Sequence, residues 1–398
     1  MSSRGPATTA KAAPPLPDAP PQPALPAPPS GSFVSRSESR YASGGCSSDL
    51  RIDGRRRAEY RPYDAEVSPG PWIGGGGSGG GPSSFASASA SASAPLALSN
   101  GWSRISLPGG DADVLCSVKA ELVRPSSLKP DEGTVELNVD LLPCATATSA
   151  LSRTGMGGDP RRSRRAAEME LSSALSRLVL PSAVDLKGLC ALRGRYAWRL
   201  CIDLTVLACD GSPLDACAAA VRAALGGTAL PDVTCVERSS DENIPGTPAA
   251  SARTARDELA VDGDYANARP PPGCDGCPVV VTIFVVETES SGGGSAGGAR
   301  KPGRALIVDA RSEEESSSVC RLALSVDRGG RICGAYKYGS SASSLRAGGG
   351  VGGTVSPGLL REASEMAVRC SRDVFDVLDR AVVGGSGYGI LQSRPIVR

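Results

Sequence analysis

Apolar and polar residues alternate from Val114 to Leu122: Val114, Cys116, Val118, Ala120 and Leu122 share one side, and Ser117, Lys119 and Glu121 the other. Successive side chains of a strand point to opposite faces, so this spacing predicts a half-buried strand. Val135, Leu137 and Val139 continue the pattern in a second strand. Trp198, Leu200, Ile202, Leu204, Val206 and Ala208 alternate with Arg199, Asp203 and Thr205, which predicts a long third. The period then changes. Leu214, Cys217, Ala218, Val221, Ala224 and Leu225 recur at helical spacing behind Asp210-Gly211-Ser212-Pro213. In that stretch Gly211 makes a turn, Ser212 can N-cap, Pro213 suits the first helical position, and Asp215 completes a capping box.

The second half repeats the theme. Val279–Val286 is an apolar β-branched run that predicts a buried strand. Ala305–Asp309, Val319–Val326 and Arg331–Lys337 predict three more, and a helix from Pro357 to Val382 carries Leu359, Ala363, Met366, Cys370, Val374 and Leu378 on one face. Strands followed by a helix, twice over, predict an α+β fold of two similar β-sheet-plus-helix lobes sharing one core.

Low-complexity tracts divide the chain. Residues 1–48 are rich in Pro, Ala and Ser and are expected to be a disordered tail. Lobe 1 covers 49–238, with a Gly/Ser/Ala insert at 70–98. A flexible linker spans 239–272, lobe 2 covers 273–383 with inserts at 289–302 and 341–357, and 384–398 is a second tail. Such tracts bury too little apolar surface to offset their ordering entropy.

Composition removes several kinds of chemistry. There is no histidine, which excludes Ser-His and Cys-His nucleophile pairs, His-ligated metals and the commonest general base. Lys and Arg total 43 and Asp and Glu 42, so only a local basic patch could hold nucleic acid. The 13 cysteines are scattered, with no signal-peptide pattern ahead of them, which points to a reducing compartment. Cys274–Cys277 has no second CxxC to complete a zinc site, so both are expected to be thiols in or beside a strand. No apolar run reaches the roughly 20 residues of a membrane span. No cofactor and no membrane contact are expected.

Motif order adds a family. Leu50-Arg51-Ile52-Asp53-Gly54-Arg55 with Glu59-Tyr60-Arg61-Pro62 resembles the opening motif of RNase PH-like proteins. Residues 114–143 and 184–233, and ALIVDARSEEESSSVCRLALSVDRGGRICGAYKYG at 305–339, resemble stretches of RNase PH-like ring subunits of the eukaryotic RNA exosome. The resemblance implies an RNase PH-like (ribosomal protein S5 domain 2-like) fold. It also implies a place in a six-membered ring with other RNase PH-like subunits and RNA-binding cap subunits, threading RNA in nucleus, nucleolus and cytoplasm. The implied role is support of 3'-to-5' RNA processing and degradation, including rRNA maturation and mRNA turnover.

The same resemblance bears on catalysis. Phosphorolysis brings two anions together, so it needs arginine and backbone donors plus an acid. Active relatives carry a Gly-Gly-Thr-Arg-like segment; here Gly211-Ser212-Pro213-Leu214 stands there, with Leu214 where the arginine would fall. Asp275 lies near the place of the family's acid but out of register. No catalytic residue is therefore assigned; the alternative is an active phosphate-dependent 3'-to-5' exoribonuclease. Asp309 with Glu313, Glu314 and Glu315 could be a metal or acid–base cluster, but a strand end followed by a solvated acidic helix start is favoured. Asp53 with Arg55 is expected to be a turn and ion pair. Lastly, Arg161, Arg162, Arg164 and Arg165 run into a helix that carries Ala167, Leu171, Ala174, Leu175 and Leu178 on one face. Positive charge at a helix N-terminus opposes the macrodipole, and a docked anion would relieve it, so these arginines are the candidate RNA contacts. An ordinary solvated basic loop, offset by Asp159 and Glu168, is the alternative.

Overall fold

The computed structural model describes residues 35–68, 99–107, 111–148, 160–211, 213–236, 258–264, 267–288, 303–338, 355–384 and 386–389. In chain order, α1 (Arg36–Ser47) precedes β1 (Tyr63–Val67), β2 (Gly101–Ser106), β3 (Ala112–Val123) and β4 (Thr134–Leu141). Then come α2 (Pro143–Thr148), α3 (Pro160–Leu178), α4 (Leu180–Ala183), β5 (Cys190–Leu192), β6 (Tyr196–Cys209) and α5 (Pro213–Gly226). A hairpin of β7 (Val233–Val236) and β8 (Glu258–Val261) leads to β9 (Val279–Thr288), β10 (Gly303–Val308), α6 (Ser312–Ser317), β11 (Ser318–Val326) and β12 (Ile332–Tyr338). The last elements are α7 (Pro357–Gly384) and β13 (Ser386–Gly389).

Two sheets carry the lobes. The first has the order β13-β1-β2-β3-β6-β4, with β5 also on β6, and β4 runs parallel to β6. The second, β10-β9-β11-β12, is antiparallel throughout. The alternation expected for β3 is met: Val114, Cys116 and Val118 are buried. α5 touches β2, β3, β9 and α7, so it lies between the lobes. Its six expected apolar positions are buried, and so are Ala216, Ala219, Ala220 and Ala223 on its other sides. Asp215 and Arg222 are buried with them, so α5 is enclosed on every side, and its alanines let the surrounding backbones come close. One apolar cluster runs from Tyr60 through α5 to Ala381, so the two lobes do share a core.

Three boundaries differ from expectation. Residues 35–48, assigned to the tail, form and cap α1. Ser35 Oγ accepts from the Glu38 amide at 3.2 Å and Glu38 Oε2 accepts from the Ser35 amide at 2.6 Å. The helix is held by Cys46, which packs with Phe284, Val286, Ala305, Ile307 and Ala310 of lobe 2. The expected linker 239–272 contains β8 and the bridge of Arg269 to Leu230. The expected tail 384–398 contains β13, which pairs with β1 at the rim of the first sheet. In each case backbone pairing or a second sheet face supplies what local composition lacks. The inserts at 70–98 and 289–302, and most of 341–357, lie outside the described residues.

Candidate functional site

The loop between β6 and α5 stands where the resemblance places catalytic donors. Gly211 adopts φ +80°, and a Cβ there would lie 2.1 Å from the Ala310 carbonyl oxygen, so the loop is pressed against lobe 2 and only glycine fits. Leu214 is fully buried in the shared core. Ser212, the expected N-cap, lies outside the described residues, whereas Pro213 opens the helix as expected.

The capping box expected of Ser212 and Asp215 rests on Ser212 and so lies outside the described residues, but the surroundings of Asp215 are described. Its carboxylate turns inward and accepts from Tyr60 Oη at 3.1 Å, the Thr282 amide at 3.0 Å and Thr282 Oγ1 at 2.5 Å. The close approach of α5 to β9 lets the Asp215 carboxylate reach across the lobe boundary. Burial pushes its pKa up to about 7, against the lowering effect of the Thr282 bonds. Asp275 is exposed on the one-turn helix Cys274–Gly276 and offers its backbone carbonyl to Arg222 Nη1 at 3.3 Å. The candidate acid and the candidate anion loop thus face different surroundings, one in solvent and one in the core.

The opening motif docks onto the second-lobe motif. Arg51 donates through Nε to Glu314 Oε1 at 2.9 Å and through Nη1 to the Val308 carbonyl at 2.9 Å. Arg61 holds Asp309 with its amide at 2.8 Å and with Nη2 at 2.7 Å, and Arg55 Nη1 reaches the same carboxylate at 2.8 Å. Burial would raise the Asp309 pKa, but the Arg61 and Arg55 charges outweigh it and hold the carboxyl well below the usual range. Glu315 pairs with Arg321 at 2.8 Å. The expected solvated acidic helix start is therefore corrected: Asp309, Glu314 and Glu315 are buried, and only Glu313 faces water. Arginines up to about 260 residues away in sequence neutralise them. The Asp53–Arg55 pair is present at 2.6 Å, as expected. Among the described residues no cluster of acids and thiols could hold a metal ion, and Cys274 and Cys277 are buried free thiols beside β9.

The candidate RNA contacts all lie inside α3, which begins at Pro160. Arg161, Arg162 and Arg165 are exposed, and half-buried Arg164 approaches Glu168 at 3.4 Å. The buried face of α3 carries Ala167, Leu171, Ala174, Leu175 and Leu178; helix phase turns Arg161, Arg162 and Arg165 away from it, whereas Arg164, three residues before Ala167 and seven before Leu171, lies on its side. Asp159 lies outside the described residues.

Two sheets around shared helices, with this motif order, define an RNase PH domain fold, and residues 86–231 match the family described as 3' exoribonuclease family, domain 1. The chain is similar to exosome complex component Rrp42 of Sulfurisphaera tokodaii, at 26% identity over 75% of this chain and 81% of that protein. It is also similar to exosome complex component RRP45A of Arabidopsis thaliana, at 23% identity over 86% of each. A solved Archaeoglobus fulgidus exosome with RNA bound to the active site superimposes at a TM-score of 0.53, with 21% identity over 85% of this chain and 97% of that one. That likeness bears on the fold.

Proposed function

We propose that this chain is a non-catalytic ring subunit of an RNA exosome, of the Rrp42/Rrp45 type, joining other RNase PH-like subunits and RNA-binding caps around an RNA channel. The observation that carries its inactivity is Leu214: the place of the family's arginine is filled by a fully buried core side chain. The segments NVDLLP and IVDARSEEE resemble ribosomal RNA-processing protein 43, and VDLKGLC resembles protein 42. The relatives described above carry the names Rrp42 and RRP45A, which favours the 42/45 type. The compartments proposed are nucleus, nucleolus and cytoplasm, which imaging of a fluorescent fusion tests.

Co-expression with catalytic-type RNase PH-like partners should yield a ring, and the purified chain should release no nucleoside diphosphates from RNA in phosphate buffer. Release that vanished on changing Asp275 would instead identify an active phosphorolytic enzyme.

In this reading Arg161, Arg162, Arg164 and Arg165 touch RNA phosphates in the channel. Phosphate contacts release counterions without reading sequence. Changing all four to Ser should weaken RNA binding by the assembled ring for every sequence alike. It should also flatten the salt dependence by about 0.7 in slope for each phosphate no longer neutralised. Unchanged affinity and slope in an intact ring would make these arginines ordinary surface.

A further inference from the structure

α1 packs on β9, β10 and α6, and it is a poor match for the surface it covers. Beneath it lie Phe284 and Val286 of β9, Ala305 and Ile307 of β10, and Ala310, each at most 3% exposed. Val285, Leu306 and Val308 alternate with these and face the shared core, so α1 closes the opposite, outer face of the second sheet. The helix brings little to that contact. Its three apolar side chains are Tyr41, Ala42 and Cys46; Tyr41 is 73% exposed, which leaves two small ones to cover an aromatic ring and two β-branched side chains.

The helix is also weak in itself. Four of its 12 residues are serine and two are glycine, and both types favour helix less than alanine does. A helix of this length needs packing to persist. Gly45 is required, since a Cβ there would lie 2.5 Å from the Leu50 carbonyl oxygen. Gly44 is not: a Cβ on it would meet nothing within 4 Å. A hollow of about 400 Å³, lined by Tyr41, Gly44, Leu50 and Ile52, opens along that end, so packing is loose there too.

The base of the helix, in contrast, is fixed. Arg51 is bonded to Glu314 at 2.9 Å and to the Val308 carbonyl at 2.9 Å. Between this anchor and the helix stands Asp49 at φ +58°, a left-handed conformation unfavourable for a residue with a side chain.

We propose that α1 is a hinged cover: it lifts as a unit about Ser48 and Asp49 while both lobes stay folded, baring the apolar outer face of β9 and β10. Segments with few buried apolar contacts open at a lower free energy than the whole molecule. The chain thus carries an apolar sheet face that its own weakest helix opens and closes.

Cys46 reports the motion, because it is fully buried under α1 and can be alkylated only when the cover is up. The full chain is exposed to iodoacetamide in urea concentrations below its unfolding transition, and labelling is followed peptide by peptide by mass spectrometry. Cys116, Cys217 and Cys277, fully buried in the shared core, report global unfolding, and exposed Cys144 and Cys333 the unhindered reaction. Cys46 should label at least about tenfold faster than the three core thiols, at a rate nearly independent of urea, since little surface is exposed. Ser35→Ala, which removes the N-cap, should speed Cys46 labelling about fivefold. Gly44→Ala should slow it about two- to fivefold. Neither should change the protection of the core thiols. Labelling of Cys46 with the rate and urea dependence of Cys116 would overturn the proposal, because α1 would then open only with the whole fold. Labelling indifferent to both variants, or variants that shift every buried thiol alike, would overturn it as well.

Discussion

Asp309 and Asp215 are both buried near the junction of the two lobes, yet one is surrounded by guanidinium groups and the other by hydroxyl and amide donors. At Asp309 two arginines of the opening motif supply charge-assisted bonds, and the carboxylate stays ionised. At Asp215 three neutral donors satisfy the oxygens, and desolvation wins: the carboxyl is pushed up to about 7, with the Asp309 charge adding to the rise. Burial alone therefore does not decide the state of a carboxylate; the sign follows from whether a cation comes with it.

Breaking the charged junction should cost most. Arg61→Ala leaves Asp309 buried with Arg55 as its remaining cation, and should destabilise the chain by about 3–5 kcal/mol, toward the lower end while Arg55 stays. Urea unfolding measures it, and a loss below about 1 kcal/mol would mean the pair is energetically replaceable.

The neutral junction should respond less and differently with pH. Asp215→Asn places an amide group against the Thr282 amide and should cost roughly 1–3 kcal/mol. Because the native pKa of Asp215 is raised, the folded state holds that proton more tightly than the unfolded chain. Its contribution is complete below the ordinary value of 3.8 and is lost as pH rises through about 7, at about 1.4 kcal/mol for each pH unit crossed. The native pKa of Asp309 is lowered, so its contribution is present above 3.8 and lost as pH falls through the native value. Unfolding series on both sides of neutrality should show the fall between about pH 4 and 7 flattened in Asp215→Asn. An unchanged slope would remove Asp215 as its source.

The smallest effect belongs to an exposed pair that sets the baseline. Arg361 and Glu365 meet at 3.0 Å one turn apart on α7, with side chains 83% and 60% exposed. Glu365→Gln should change stability by no more than about 0.5 kcal/mol. A larger change would show that pairing itself, rather than burial, separates the two junctions from the surface.

Much of the fold was legible along the chain. β3, β4 and β6 carry a two-residue alternation, β9 a continuous apolar run, and α5 and α7 helical spacing, with Pro213 opening α5. α1 was legible too, since Ser35 and Glu38 stand at capping-box spacing, but the Ser/Gly-rich composition masked the signal. β13 has no such signal: four residues, two of them glycine, become a strand only by pairing with β1. At the candidate site, Leu214 was legible as an apolar position on the face of α5, whereas the bonds of Asp215 to Tyr60 and Thr282 were not, because those partners lie 155 and 67 residues away.

The sequence by itself determined the order and type of the long elements and the outward phase of Arg161, Arg162 and Arg165 on α3. These follow from spacing within a single helix or strand, which the backbone repeat converts directly into a face. Only the tertiary structure decided that Glu314 and Glu315 are buried, that Asp215 crosses the lobe boundary and that a hollow opens beside Gly44. Each depends on groups from distant parts of the chain meeting in space, and the energy of a charge or a cavity is set by those neighbours rather than by its place in the sequence.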